Sequence, residues 1–184
     1  MKQTMKQALA LIALMGLVLS LGCRAVYVTK PVGEKPVSLK TEEWEGSWKM
    51  INGDGDEYII HVADAPTGKI EIAHINHDAH GFKLDVVQGQ VLQHQSWLFL
   101  NIENKEKPGQ YAWGRIKNEG KLAMIWFPNA DKVENLIKQK KLTGKLIKDQ
   151  DILLQALTPK QLDLVSSDSQ GLVLDWENPV ILHR

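Results

Sequence analysis

The chain has 184 residues, with 22 basic and 22 acidic side chains and a single cysteine. A formal charge of zero lacks the basic excess that nucleic-acid partners demand, and one thiol excludes any intramolecular disulfide. The sequence has no Gly-x-Ser-x-Gly elbow, phosphate-binding loop, dinucleotide fingerprint or His-Glu-x-x-His.

The N-terminus reads as an address. Lys2 and Lys6 give a positive start, residues 8–21 form an apolar run, and Ser20-Leu21-Gly22-Cys23 closes it. A membrane-spanning helix needs about 20 apolar residues. This run is shorter and gives way to Arg24 and a polar chain, the pattern of an export signal. It resembles the signal peptides of bacterial lipoproteins, which end in a short box before an invariant cysteine. Gly22, Cys23 and the Leu-rich residues 17–21 match that box, with Ser20 where the family usually has Leu. The resemblance implies cleavage before Cys23, diacylation of its sulfur and acylation of the new amino group, so palmitate-type chains anchor the protein. It also removes Cys23 as a catalytic thiol. In that family an acidic residue after the cysteine favours inner-membrane retention. Arg24 stands there instead, which implies a lipid anchor in the cell outer membrane, on its periplasmic side.

With residues 1–22 removed, about 160 residues remain, the size of one domain with a real core. Residues 23–41 read as the lipidated cysteine and an extended spacer. Pro31, Gly33, Pro36 and several lysines favour an unpacked chain that holds the domain off the bilayer. Val26, Val28 and Thr29 could instead add a short strand. Residues 42–184 read as a single β-rich domain.

From Trp48 to Phe127 the apolar residues alternate. The runs are 57–63, 69–76, 82–92, 97–103, 111–116 and 121–127, separated by Gly, Pro, Asn and Asp. Asn118-Glu119-Gly120 is a hairpin connection. Then the period lengthens. Asp131 to Glu134 resembles a capping box; Val133, Leu136, Ile137 and Lys140 follow at helical spacing, and Gly144 ends the element. A short β pair fits around Leu146 and residues 152–154. Thr158-Pro159-Lys160-Gln161 starts a second helix, about 159–166. Residues 172–177 read as the closing strand, ended by Asn178-Pro179. The expected class is mainly β: an antiparallel meander forming a curled sheet or small barrel, with two short helices in the C-terminal third. Gly46-Ser47-Trp48 resembles the Gly-x-Trp that opens lipocalin barrels, which implies a lipocalin-like closure.

Few constellations carry chemistry. His74, His77, Asp78 and His80 crowd three imidazoles and a carboxylate into seven residues, a set that could hold zinc or copper. In a strand His74 and His77 face opposite ways, so an exposed polar turn is the preferred reading, with no metal. Asn52-Gly53-Asp54-Gly55-Asp56 spaces its oxygens as calcium loops do. Glu57 and Ala63 stand where an EF-hand needs Gly and Glu, so a hairpin turn is preferred. Lys138, Lys140, Lys141, Lys145 and Lys148 could meet lipid head groups or an acidic partner, and the solvated face of a helix is the preferred reading. Trp97, Trp113 and Trp126 either line a ligand cavity in a barrel or fill it, and filling is preferred.

The functional expectation is a lipid-anchored envelope lipoprotein, non-catalytic and without cofactor. Its partners would be the membrane, through the N-terminal lipid, and either a small apolar ligand or lipid or an envelope protein. The alternative is an envelope hydrolase acting on glycan or lipid, whose paired carboxylates would need only proximity in space.

Overall fold

A computed structural model describes residues 24–51, 56–78, 81–147, 150–167 and 173–184, without the side chains of 76–78 and 81–83. The strands are β1 (Val26–Val28), β2 (Lys35–Pro36), β3 (Gly46–Met50), β4 (Glu57–Asp64), β5 (Lys69–Asp78), β6 (Gly81–His94), β7 (Trp97–Glu103), β8 (Tyr111–Asn118), β9 (Leu122–Trp126), β10 (Gly144–Leu146), β11 (Ile152–Leu154) and β12 (Val180–His183). The helices are α1 (Thr41–Trp44), α2 (Ala130–Lys138) and α3 (Pro159–Val165).

Successive antiparallel pairings run from β3 through β9. β12 then pairs β9 on one edge and β3 on the other, closing an eight-stranded antiparallel barrel. Closure removes the edges that an open sheet would expose. The closing strand is therefore not 172–177, as the alternation there implies. Of that run the described part makes one bridge, Leu174 to Pro128. The strand begins after Pro179, which has no N–H to give a ladder and so sits at a strand's start. Val180 and Leu182 then supply the inward side chains.

Period-two alternation sorts the side chains into two cores. Trp48, Met50, Tyr58, Ile60, Ile70, Ile72, Val91, Leu100, Ile116 and Ile125 fill the barrel interior, closed off beside α1 by Leu39 and Trp44. Trp48 is 1% exposed, and its indole N–H donates to the Trp44 carbonyl at 3.0 Å. The Arg184 guanidinium sits 5.5 Å from the same ring. The opposite faces of β7 and β8 carry Trp97, Phe99 and Trp113 into a second core. It is covered by α2, α3 and a three-stranded side sheet of β10, β11 and β1.

β8 is the seam between the two. One of its edges pairs β1 at Tyr111 and Ala112, then β9 from Arg115 to Asn118. Gly114 lies at the changeover. A Cβ there would stand 2.8 Å from the Trp126 carbonyl, so the approach requires glycine.

Residues 24–41 are not an extended spacer. β1 runs parallel to β11 and antiparallel to β8, covered on both faces, and all three of its residues are buried. Val32 is 2% and Leu39 4% exposed. A strand buried on both faces is apolar throughout, which Val26-Tyr27-Val28 satisfies. The Asn101 side chain accepts from the Val32 N–H at 2.6 Å and donates to its carbonyl at 3.0 Å. Gly33, at φ +115°, packs its backbone against Leu92. Buried His94 meets Glu34 at 3.0 Å and Asp163 at 2.9 Å, so one ring ties this segment and α3 to β6.

Both helix starts are capped. Thr158 and Gln161 form the reciprocal box expected for α3. For α2 the cap is Asn129, not Asp131: its side chain accepts from the Lys132 N–H.

Candidate functional site

Cys23 lies outside the described residues, but Arg24 and Ala25 beside it are held firmly. Arg24 donates through Nε to the Gln150 carbonyl at 2.8 Å and pairs with Glu134 at 2.6 Å and Asp131 at 3.2 Å. The Ala25 N–H donates to Asp151 Oδ1 at 2.7 Å. Hydrogen bonds from Lys138 and then Arg24 hold the Glu134 carboxyl below its ordinary range. Of the basic run, Lys138 pairs with Glu134, whereas Lys140, Lys141 and Lys145 are exposed. Lys148 lies outside the described residues, as do residues 52–55 of the Asn52–Asp56 stretch.

Trp97, Trp113 and Trp126 fill space, but not the space inside the barrel. Trp97 and Trp113, 3% and 0% exposed, lie in the second core. Trp126 packs against that core from β9. Trp97, Trp126 and Trp176 surround the Arg115 guanidinium at 3.8, 5.6 and 5.2 Å from their ring centroids. Cation–π attraction thus fixes the edge of this layer. The sequence reading missed Arg115 and Trp176, because nothing local signals that a loop residue will fold back over β8 and β9.

The β5–β6 hairpin forms an arm beyond the barrel rim. The two strands pair from Lys69–Gln90 to Asp78–Gly81. β4 leaves β5 at Ile75, and β7 joins β6 only from Gly89 onward. At the neck of this arm, alternation turns Tyr58 and His74 inward. His74 is 1% exposed and stacks on Tyr58, ring centroids 4.9 Å apart at 20°. Its Nε2 stands 3.5 Å from Asp56 Oδ1, and neither ring nitrogen makes a hydrogen bond among the described residues. Burial, and then Asp56, raise the Tyr58 phenol above its ordinary range.

This corrects the reading of His74 as part of an exposed turn: the inward face of β5 reaches to residue 74. The structure places His74 beside Asp85 in the strand register. The side chains of His77 and Asp78, and all of His80, lie outside the described residues. Among the described residues no three His, Cys, Asp or Glu side chains converge as metal ligands.

The outer wall of the arm is apolar. Ile59 pairs with Ala73 and Ala73 with Val86, while Ile75 pairs with Leu84. Leu84 is 56% and Ile59 40% exposed. At the arm's foot, Glu71, Val86, Gln88, Glu103, Asn104, Lys105 and Pro108 line a depression of about 330 Å³. The Lys105 ammonium donates to the Val86 carbonyl. Since a strand residue's N–H and C=O share a side, Leu84, Val86 and Gln88 aim their backbone groups at the edge away from β5. From Gly81 to Val87 no described strand pairs with that edge.

The site is therefore an open strand edge with an apolar wall, carried on a closed barrel whose interior is filled. Comparison of the chain with family models, with curated proteins and with solved structures finds no match. Among the described residues no helix is long and apolar enough to cross a membrane.

Proposed function

We propose that this chain is a bacterial envelope lipoprotein, anchored in the outer membrane through lipid on Cys23, and that its folded part works by contact. An extended segment of an envelope protein lies along the open edge of β6. The observation that carries this reading is the stretch from Gly81 to Val87, which continues past the last pairing with β7. Exposed edges are usually blunted, and here one lysine covers one carbonyl. Strand addition would satisfy the edge-facing N–H and C=O of Leu84 and the N–H of Val86. The exposed Leu84 side chain would pack against the incoming chain. A small apolar ligand is the weaker partner, because Trp48, Tyr58 and their neighbours occupy the barrel interior.

The test has two parts. Cys23→Ala should abolish palmitate labelling; a labelled variant overturns the anchor. A photo-crosslinking residue at position 84 in living cells should give a discrete protein adduct that one at exposed Lys160 of α3 does not. Leu84→Pro removes an edge-facing N–H while sparing the β5 ladder, so with the crosslinker moved to Val86 it should erase that adduct. An adduct indifferent to Leu84→Pro, or none, overturns the contact reading.

The second reading, a hydrolase acting on envelope glycan or lipid, is favoured by Asp56, Tyr58 and His74 at the neck. Hydrolysis lost in His74→Gln but kept in Leu84→Pro would select it.

A further inference from the structure

We infer that in the anchored protein the free end of the side sheet rests on the bilayer surface, with phospholipid headgroups against Lys145 and Leu146 at the end of β10, so that the β5–β6 arm projects away from the membrane. This rests on the lipid-anchor reading of Cys23. The described chain begins directly after Cys23, and its first two residues are tied to the fold through Gln150, Asp131, Glu134 and Asp151. Consecutive Cα atoms are about 3.8 Å apart. A lipid on Cys23 is thus one residue from packed protein, with no length of chain to hold the domain off.

The register fixes which residues lie at that end. Val26 pairs Ile152, and Ile152 pairs Leu146, so the start of β1 and the end of β10 share one rim. Leu146 is 54% exposed, and Lys145 beside it is exposed as well. A lone leucine flanked by lysine is suited to the headgroup boundary, where the apolar chain sinks and the ammonium meets phosphate. The acidic groups of the rim are partly neutralised, since Asp131 and Glu134 both pair with Arg24.

The direction of the arm comes from the same ladders. Tyr27 lies level with Ala112, Ala112 with Ile102, and Ile102 with Gly89. From that level Arg24 lies one way along the strands. Val28, Tyr111, Glu103 and Gln88 lead the other way, into the arm. The anchor and the open edge therefore point to opposite sides, so the edge remains reachable by a partner in the periplasm.

The acylated sulfur of Cys23 is blocked, so a cysteine placed elsewhere is the one reactive thiol. Leu146→Cys, Lys145→Cys, Lys107→Cys and Leu84→Cys proteins, each carrying a polarity-sensitive fluorophore, are reconstituted with the native anchor into phosphatidylethanolamine–phosphatidylglycerol vesicles. The vesicles contain a headgroup-level spin-labelled lipid. Quenching should be several-fold stronger at 145 and 146 than at 84 and 107. Equal quenching at all four positions, in protein that floats with the vesicles, overturns the orientation and leaves the anchor standing. Protein that stays in solution, with Cys23 open to thiol reagents, overturns both.

Discussion

Asn101 offers the sharpest test of whether residues 24–41 belong to the folded core. It is 2% exposed, and its side chain makes a two-point bridge to the backbone of Val32, itself 2% exposed. Leucine in its place keeps the volume but strands the Val32 N–H and C=O in apolar surroundings. Each lost hydrogen bond contributes about 1 kcal/mol net, and an unsatisfied buried amide group costs about 1–3 kcal/mol. Asn101→Leu should therefore cost about 3 kcal/mol. In urea, with a slope of about 2 kcal/mol/M for a domain of this size, the midpoint should fall by about 1.5 M. Tryptophan fluorescence reads the transition, because the second core holds Trp97 and Trp113. Asn101→Asp keeps the acceptor for the Val32 N–H but loses the donor and buries a carboxylate, so it should be at least as damaging. A loss below about 0.5 kcal/mol in both variants would refute the packing of this segment and restore a detached spacer, since an unsatisfied buried amide alone costs more than that.

Three further outcomes are expected. Gly114→Ala drives a methyl group to 2.8 Å from the Trp126 carbonyl and should cost about 1–3 kcal/mol, seen as a lowered thermal midpoint; an unchanged midpoint would contradict the close crossing at β8. Thr158→Ala removes the N-cap of α3 and should cost about 1 kcal/mol, whereas Lys160→Ala on the exposed side of the same turn should cost little in the same denaturation series. Glu134 has a depressed folded pKa from an ordinary value of 4.5, so its contribution is present above that value and lost as pH falls through the lower folded one. Hydrogen exchange at Val26 and Tyr27 should accordingly lose protection on acidification below about pH 4.5, and Glu134→Gln should show that loss already at neutral pH.

Several elements were legible from local pattern alone. A strand's period of two and a helix's of three to four come from backbone geometry, so the meander through β9, the hairpin at 118–120 and the presence of the two C-terminal helices could be read locally, although α2 is capped by Asn129 and ends at Lys138, while Gly144 begins β10. The Thr158 and Gln161 box was equally readable, because a cap is satisfied within one turn. The expectation of an anchor at Cys23 is likewise a reading of the sequence, and it concerns residues outside those described.

Tertiary structure decided what depends on distant partners. Val26-Tyr27-Val28 fits a spacer or a short strand by its sequence, and becomes a strand because β8 and β11 cover it on both edges. His74 looks like a turn residue beside His77 and His80, yet β5 continues far enough to seal it against Tyr58. Trp97 and Trp113 are apolar wherever they go, and only the placement of α2 and α3 determines that they fill an outer core rather than the barrel. The open edge of β6 is a difference in length between neighbouring strands, which no single stretch of sequence records. Local geometry sets what each segment prefers to be, while the choice of partner is made by burial and hydrogen bonding across the whole fold.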